Sequence, residues 1–182
     1  MVKSISVPDH LVFRRPTYEE FTSSTCSPCA SFNSSTFNPF IAANGDELTL
    51  IKYQMNWPGN PGDPYYTAEG GVRRAYYGVN AVPDLYVDGK VCGTNSSAVN
   101  NAFSTSKATM TYLEIQSVHE IQGNNVIIDC NILPYANYSG VTVQIAVLER
   151  KTTGNASSNG ETEFHHVMMK MVPDANGTTA NL

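Results

Sequence analysis

The chain has 182 residues, of which 41% are hydrophobic and 15% are charged, so it suits one large domain or two small ones with a buried core. Its formal net charge of −5 and the lack of any basic run argue against a phosphate-binding surface, and we predict no nucleic-acid partner. No segment approaches the roughly 18–20 apolar residues that a membrane-spanning helix needs, so we predict no transmembrane segment.

The first elements alternate between strand and helix. Residues 1–13 have few periodic cues and are predicted to be extended, whereas residues 17–22 are predicted as a strand. A polar turn then leads into Cys26-Ser27-Pro28-Cys29, where we expect a helix to begin. Residues 48–54 are predicted as a short strand, and the prolines and glycines of residues 55–63 predict a loop.

Prolines also mark the predicted helices. Pro39 should kink or restart the helix that follows the tetrad, because proline has no N–H and its ring clashes with the preceding turn. Asp63-Pro64 predicts the start of a second helix, since Asp caps free N–H groups and Pro is tolerated at the first helical position. The apolar face of that helix would carry Ala68, Val72, Ala75 and Tyr76.

A hairpin and a helix complete the first half. Asp88-Gly89 lies between two apolar runs and is a strong signal for a two-residue type I′ hairpin turn. Residues 96–106 are then predicted as a helix. The order of elements predicts an α/β domain over residues 14–106, with a central mixed sheet flanked by helices.

The pattern changes after Lys107. Apolar residues alternate with mainly polar neighbours in the following segments, which is typical of half-buried antiparallel strands, and residues 163–172 are a further candidate strand. We therefore predict a small antiparallel all-β domain, sandwich-like, over residues 107–182. The sequence ends soon after Gly177 without a strong closing element, which suggests that this domain is incomplete.

The tetrad Cys26-Ser27-Pro28-Cys29 is the clearest chemical motif. A first cysteine at a helix N-terminus has a stabilised thiolate, so Cys26 is the expected nucleophile. Cys29 would resolve the mixed disulfide, and Pro28 fits the first helical turn. Half of a zinc site and a purely structural disulfide are the alternatives, but Cys92 and Cys130 do not supply a second CxxC pair. We predict no metal site and no cofactor.

The chain resembles the thioredoxin-like superfamily over residues 14–106. The matching segments are Glu19-Glu20-Phe21-Thr22, the tetrad, and Gly78-Val79-Asn80-Ala81-Val82-Pro83-Asp84-Leu85-Tyr86-Val87-Asp88-Gly89. The resemblance implies a cis Val82–Pro83 bond that faces the disulfide, with the Val82 backbone pairing with an extended substrate strand. It also implies that Glu20 accepts the proton of the resolving cysteine, although an exposed strand position is the alternative for this residue.

Three positions depart from the family pattern or extend it. Thr25 stands where a tryptophan usually precedes the first cysteine, and the Ser27-Pro28 dipeptide leaves the direction of the redox reaction open. Trp57, in the long loop 55–63, either shapes a substrate cleft or simply packs.

A narrower resemblance, to the Omp28-related proteins of Bacteroidetes, spans most of the chain. It rests on Glu19-Glu20-Phe21-Thr22-Ser23, on Trp57-Pro58-Gly59 with Asp63-Pro64-Tyr65-Tyr66, and on His166-Val167-Met168-Met169-Lys170-Met171. It implies an extracytoplasmic location, in the periplasm or at the outer membrane, with membrane association through a lipidated N-terminus upstream of this sequence. Abundant Asn, Ser, Thr, Gly and Tyr agree with an exported protein.

Other reactive residues allow two interpretations each. Cys92 and Cys130 either form a disulfide between the two halves or are free thiols, of which we favour the second. His165-His166 with the nearby methionines suggests a Cu(I) site, but strand alternation would put Val167, Met169 and Met171 in a core.

These observations support two functional hypotheses. The first is a thiol–disulfide oxidoreductase that acts on protein thiols and disulfides through Cys26 and Cys29. The second is a non-catalytic envelope or surface binding module, in which the fold is a scaffold and the disulfide is structural.

Overall fold

The computed structural model describes residues 10–182, so most of the predicted extended segment lies outside the described part. The helices are α1 (Ser27–Phe32), α2 (Asn38–Asn44), α3 (Ala68–Tyr77) and α4 (Ser96–Lys107), with a π-helical turn at Asn33–Phe37 and a 3-10 turn at Gly45–Glu47. The strands are β1 (Val12–Phe13), β2 (Thr17–Thr22), β3 (Thr49–Gln54), β4 (Asp84–Val87), β5 (Lys90–Cys92), β6 (Met110–Thr111), β7 (Leu113–Gln122), β8 (Asn125–Pro134), β9 (Val141–Val143), β10 (Ile145–Thr152), β11 (Phe164–Val172) and β12 (Thr178–Ala180). Over residues 10–182, no helix combines the length and the apolar character needed to span a bilayer.

A six-stranded mixed sheet lies at the centre, in the order β10-β11-β3-β2-β4-β5. Strand β3 pairs in parallel with β2 and with β11, whereas β4, β5 and β10 run antiparallel to their neighbours. The structure is therefore mixed α/β, as the first half of the sequence predicts.

The second half of the chain differs from the separate β domain that the sequence predicts. Strands β10 and β11 extend the central sheet, and Val167 pairs with Lys52 of β3. Without β11, the β3 edge would leave unpaired N–H and C=O groups. The predicted boundary at residue 107 thus cuts across a single sheet. The remaining strands form the two-stranded pairs β1–β6, β7–β8 and β9–β12.

Strand β2 is covered on both faces because its side chains alternate between two core clusters. Tyr18 belongs to the cluster on the side of α1, α2 and α4, and Phe21 to the cluster on the side of α3. The first cluster contains Tyr18, Phe32, Phe37, Phe40, Leu48, Leu50, Leu85, Val87, Cys92 and Val99. The second contains Phe21, Tyr53, Met55, Val79, Met168, Met171 and Ala175. Glu19 and Glu20 are consequently buried on opposite faces of the sheet.

Helix α3 begins later than predicted, and its buried face is a different one. The Thr67 side chain caps it by accepting the Gly70 N–H at 3.0 Å. Asp63 instead accepts the Tyr65 N–H in a separate turn at residues 64–65, and the helix begins only after Thr67. Val72 and Tyr76 were predicted to lie on the buried face of α3, but both are exposed. The buried face instead carries Arg73, which pairs with Glu19.

Predictions at three special backbone positions agree with the structure. The Val82–Pro83 bond is cis, and Asp88 and Gly89 have φ values of 49° and 76° at the tip of the β4–β5 hairpin, as a type I′ turn requires. The π-helical turn ends directly before α2, whose first turn contains Pro39.

Strand β11 contains an irregularity that changes which methionine is buried. His166 has a φ of 57°, and the β10–β11 register shifts between Val147 and Leu148. Alternation is broken as a result, and Met168 is buried with Met171 whereas the predicted Met169 is only partly buried.

The β7–β8 hairpin is exposed along most of its length. One of its faces carries the apolar residues Leu113, Ile115, Ile121, Val126, Ile128 and Ile132. Ile115 and Ile121 are 62% and 70% exposed. The hairpin is therefore an amphipathic arm that stands out from the core.

Candidate functional site

The tetrad forms the turn between β2 and α1, as expected. Cys26 and Cys29 are joined by a disulfide, with their Cα atoms 5.2 Å apart. Cys26 caps α1, and its Sγ accepts the Cys29 backbone N–H at 3.1 Å. Such a donor stabilises a thiolate when the disulfide is reduced. Pro28 lies in the first helical turn and is exposed, whereas Cys26 is 1% exposed and Cys29 is fully buried.

The segment before β4 faces the tetrad. The Val82 carbonyl oxygen lies 3.5 Å from Cys26 Sγ, so Val82 and Pro83 border the disulfide, as the resemblance implies. Val82 also packs on the edge of the second core cluster. The structure thus brings together Cys26, Cys29, Val82 and Pro83.

Glu20 is fully buried, so the exposed alternative is wrong. Lys52 of the neighbouring β3 strand pairs with it, with 2.8 Å between Nζ and Oε2. Among residues 10–182, no hydrogen bond of good geometry reaches either carboxylate oxygen. Burial raises the pKa of the Glu20 carboxyl, and the Lys52 ammonium counteracts this in part.

Lys52 also links Glu20 to the helical segment that follows Cys29. Its Nζ donates to Asn33 Oδ1 at 3.4 Å, and Asn33 lies four residues after Cys29. Residues four apart lie on one side of a helix, so Asn33 contacts the buried pair from the side of α1 on which Cys29 also lies. The sequence did not single out Lys52 or Asn33, because a lysine in a strand usually points to solvent.

Glu19 is the centre of a second buried polar cluster, on the opposite face of the sheet. Arg73 Nη2 donates to Glu19 Oε1 at 2.9 Å, and Tyr53 donates to the same oxygen at 2.9 Å. The Tyr77 hydroxyl donates to Glu19 Oε2. Burial raises the pKa of both tyrosines, so they remain donors at physiological pH. This cluster fixes α3 on the sheet.

Asp63 holds the turn that precedes the tetrad. Its Oδ2 accepts the Ser24 N–H at 3.2 Å, and its Oδ1 accepts the Tyr65 N–H at 2.8 Å. The side-chain amide of Asn155 donates to both carboxylate oxygens, at 3.2 and 2.9 Å. The acid that the sequence assigned to a helix cap is therefore part of the site's support.

The segment 153–163, between β10 and β11, packs directly on the tetrad turn, and we call it the clamp loop. Asn159 Nδ2 donates to the carbonyl oxygens of Ser23 and Cys26, each at 3.1 Å. The Asn159 N–H donates to Ser24 O at 3.0 Å, and the Ala156 N–H donates to Ser24 Oγ at 3.0 Å. The clamp loop thus supplies polar partners to this turn, in addition to Asp63.

The clamp loop also carries a carboxylate, Glu161, towards the same network. Asn33 Nδ2 donates to Glu161 Oε1 at 2.8 Å, and Asn159 Nδ2 donates to Glu161 Oε2 at 2.7 Å. No local signal in the Asn-, Ser- and Gly-rich sequence 153–163 indicates the contact with Asn33, which lies 128 positions before Glu161.

The remaining predicted residues lie away from this network. Trp57 packs on the second core cluster, with the Arg74 guanidinium 5.6 Å from its ring, which agrees with the packing alternative. Its loop does touch the tetrad turn, since the Gly59 N–H donates to Thr25 Oγ1 at 3.0 Å. Cys92 and Cys130 are free thiols, the first buried in the core and the second exposed on β8.

The chain matches no family model and no curated protein. Among solved structures, it is similar to protein AGR_C_4864 from Agrobacterium tumefaciens, whose X-ray crystal structure comes from a structural genomics consortium. The TM-score is 0.61 at 18% sequence identity, and the match covers 94% of this chain and 79% of the other. At this identity the likeness shows a shared fold and says nothing about chemistry.

Proposed function

We propose that this protein is a thiol–disulfide oxidoreductase of the thioredoxin-like class that acts on protein thiols and disulfides. The observation that carries the proposal is the Cys26–Cys29 disulfide at a helix start, bordered by the Val82 carbonyl and backed by the buried Glu20–Lys52 pair. The order β2, α1, β3, α3, β4, β5 and α4 supports the same fold class.

The reaction is an exchange in two steps. The Cys26 thiolate attacks one sulfur of a substrate disulfide, forms a mixed disulfide and releases the other substrate sulfur as a thiolate. Cys29 then loses its proton to Glu20 and attacks Cys26 Sγ, which closes the Cys26–Cys29 bond and releases the second substrate thiolate. Two electrons pass from the protein dithiol to the substrate, and the reverse sequence oxidises a substrate dithiol.

The backbone beside the disulfide supports a place for an extended substrate. Val82 offers its backbone next to Cys26, and a peptide strand that pairs there would bring its own sulfur towards Cys26 Sγ. The exposed Pro28 would border the same peptide.

A trapping experiment tests the proposal. Both variants are made in a Cys92→Ala/Cys130→Ser background and mixed with insulin, whose disulfides serve as the model substrate. Cys29→Ser should accumulate a mixed disulfide with insulin, whereas Cys26→Ser should not. The proposal would be overturned if neither variant traps insulin and the wild-type protein does not accelerate the reduction of insulin.

One observation favours the second candidate function, an envelope or surface binding module with a structural disulfide. Cys26 is 1% exposed and the clamp loop covers its turn, whereas exchange requires access to the sulfur. This candidate expects a reduction potential of the Cys26–Cys29 pair below about −300 mV, beyond the reach of cellular thiols. A redox titration against glutathione and dithiothreitol separates the two functions.

The extracytoplasmic location and the relationship to the Omp28-related proteins of Bacteroidetes are part of this proposal. They are supported by the sequence segments named above and by the composition of the chain. Detection of the native protein in the envelope fraction of its host would support them, and recovery in the cytosol alone would contradict them.

A further inference from the structure

A second carboxylate, that of Glu161, is linked by hydrogen bonds to the Glu20–Lys52 pair behind the tetrad. Lys52 Nζ lies 2.8 Å from Glu20 Oε2 and donates to Asn33 Oδ1 at 3.4 Å. The same Asn33 amide donates to Glu161 Oε1 at 2.8 Å. Glu161 therefore reaches the Glu20–Lys52 pair through one fully buried side chain.

The contacts of Glu161 hold its carboxylate next to Asn33 and Asn159. Asn33 and Asn159 each donate a side-chain N–H to one of its two oxygens, and its own backbone N–H donates to Asn159 Oδ1 at 2.9 Å. The partners of Asn159 include the Cys26 carbonyl, so the same amide positions both the nucleophile turn and the carboxylate.

We propose that Glu161 is a positioning residue of the exchange reaction: its negative charge, held by Asn33 and Asn159, keeps Glu20 able to accept the Cys29 proton near neutral pH. This inference rests on the proposed oxidoreductase function and adds to it a control element that comes from the clamp loop.

Electrostatics supports this role. Burial raises the pKa of Glu20, Lys52 lowers it, and the charge of Glu161 raises it again. Without Glu161, the ammonium of Lys52 would hold Glu20 ionised to lower pH, and its carboxylate would be a weaker base. On the side of β11, Glu163, His165 and His166 line a pocket together with Lys52, and burial lowers the pKa of His166. His166 is therefore mostly neutral at pH 7.

The step that Glu161 assists is the second one. The Cys29 S–H proton moves to the Glu20 carboxylate, the Cys29 thiolate attacks Cys26 Sγ, and the bond between Cys26 and the substrate breaks. The substrate thiolate takes a proton from water, and Glu20 returns its proton to solvent. No further oxidant or reductant is needed.

Carboxyl-carbon NMR of the oxidised, Glu-labelled protein tests the inference directly. The Glu20 resonance, assigned by its loss in Glu20→Gln, should titrate about half to one pH unit lower in Glu161→Gln than in the wild type. Lys52→Met should move the same midpoint upward, and Glu161→Asp, which keeps the charge, should restore most of the wild-type value.

Glu163→Gln is the matched control, because Glu163 is an exposed carboxylate two residues away that pairs with Lys151. An unchanged Glu20 midpoint in Glu161→Gln, or an equal shift in Glu163→Gln, overturns the inference. The measurement needs no exchange activity, so failure of the trapping experiment and failure of this titration are separate results.

Discussion

Strand β2 and the β7–β8 hairpin lie in the same chain and differ in what surrounds them. All residues of β2 after Thr17 are buried, and its two acids are paired with Lys52 and Arg73. In the hairpin, Val118 and Ile121 are 68% and 70% exposed, and within residues 10–182 the two strands pair only with each other. A two-stranded hairpin by itself is marginally stable in water.

The difference shows which region of the molecule depends on particular side-chain partners. Around the tetrad, Glu20, Asp63 and Asn159 pair with groups from distant segments, so removal of one partner leaves another buried group unsatisfied. In the hairpin, a lost side chain is replaced by water. The same type of substitution should therefore have very different effects in the two regions.

The largest expected effect is that of Lys52→Met. Loss of the ammonium leaves the buried Glu20 carboxylate unpaired, and we expect about 3 kcal/mol less free energy of unfolding at pH 7. The control is Lys151→Met, because Lys151 forms an exposed pair with Glu163 and should contribute less than about 1 kcal/mol. Urea denaturation at pH 7 measures both, and equal losses would contradict the contrast.

A smaller loss is expected for Asp63→Ala. It removes the acceptor of the Ser24 and Tyr65 N–H groups and of the Asn155 amide, which should cost about 2 kcal/mol. Asp129→Ala on the hairpin should cost less than about 0.5 kcal/mol. Thermal unfolding followed by circular dichroism distinguishes them, and a stable Asp63→Ala protein would show that the clamp loop does not depend on this carboxylate.

The pH dependence of stability gives a third, weaker contrast. Burial lowers the pKa of His166, and the charges of His165, Lys52 and Arg150 add to this effect. The folded protein therefore binds the His166 proton less tightly than the unfolded chain, whose histidine has a pKa near 6.5. This contribution is fully present above about pH 6.5 and is lost as the pH falls towards the folded pKa.

His166→Gln should accordingly flatten the fall in unfolding free energy between pH 7 and pH 5. The exposed His119 of β7 serves as the control, and His119→Gln should keep the wild-type slope. Urea midpoints at half-unit pH intervals provide the measurement, and parallel slopes for the wild type and His166→Gln would refute the assignment.

The smallest effect is expected in the hairpin. Ile121→Ser should change the unfolding free energy by no more than about 0.5 kcal/mol, because this side chain is already in water. Hydrogen exchange should show hairpin amides opening far more readily than those of β2. Protection of both regions to the same degree would mean that the hairpin has a partner in solution.

Local patterns in the sequence predict much of the fold but not its long-range contacts. The tetrad, the Asp88-Gly89 turn and strand β2 follow from residue types that fix backbone conformation or alternate in polarity. Alternation also predicts strands in the second half, yet it does not identify the strand with which each pairs. For that reason β10 and β11 were expected in a separate domain and instead extend the central sheet.

In the candidate site, too, residues with a local sequence signal were predicted and residues that act through long-range contacts were not. Cys26, Cys29 and Glu20 were predicted from nearby positions in the sequence. The structure brings the two cysteines together with Val82 and Pro83, and it buries Glu20 beside Lys52. Asn159 and Glu161 were missed, and Asp63 was assigned to a helix cap, because polar residues in a loop look alike whether they face solvent or a buried turn. The bulge at His166 likewise has no signature in the sequence.

The pairing of β11 with β3 has a consequence for synthesis on the ribosome. Val167 joins a strand that was translated about 115 residues earlier, so one edge of β3 stays open until the later strand leaves the exit tunnel. Contacts of such high contact order form slowly, and an open edge invites pairing with other chains in the meantime. Nascent chains stalled just after α4 should therefore be clients of chaperones, whereas chains stalled well beyond β11 should have released them.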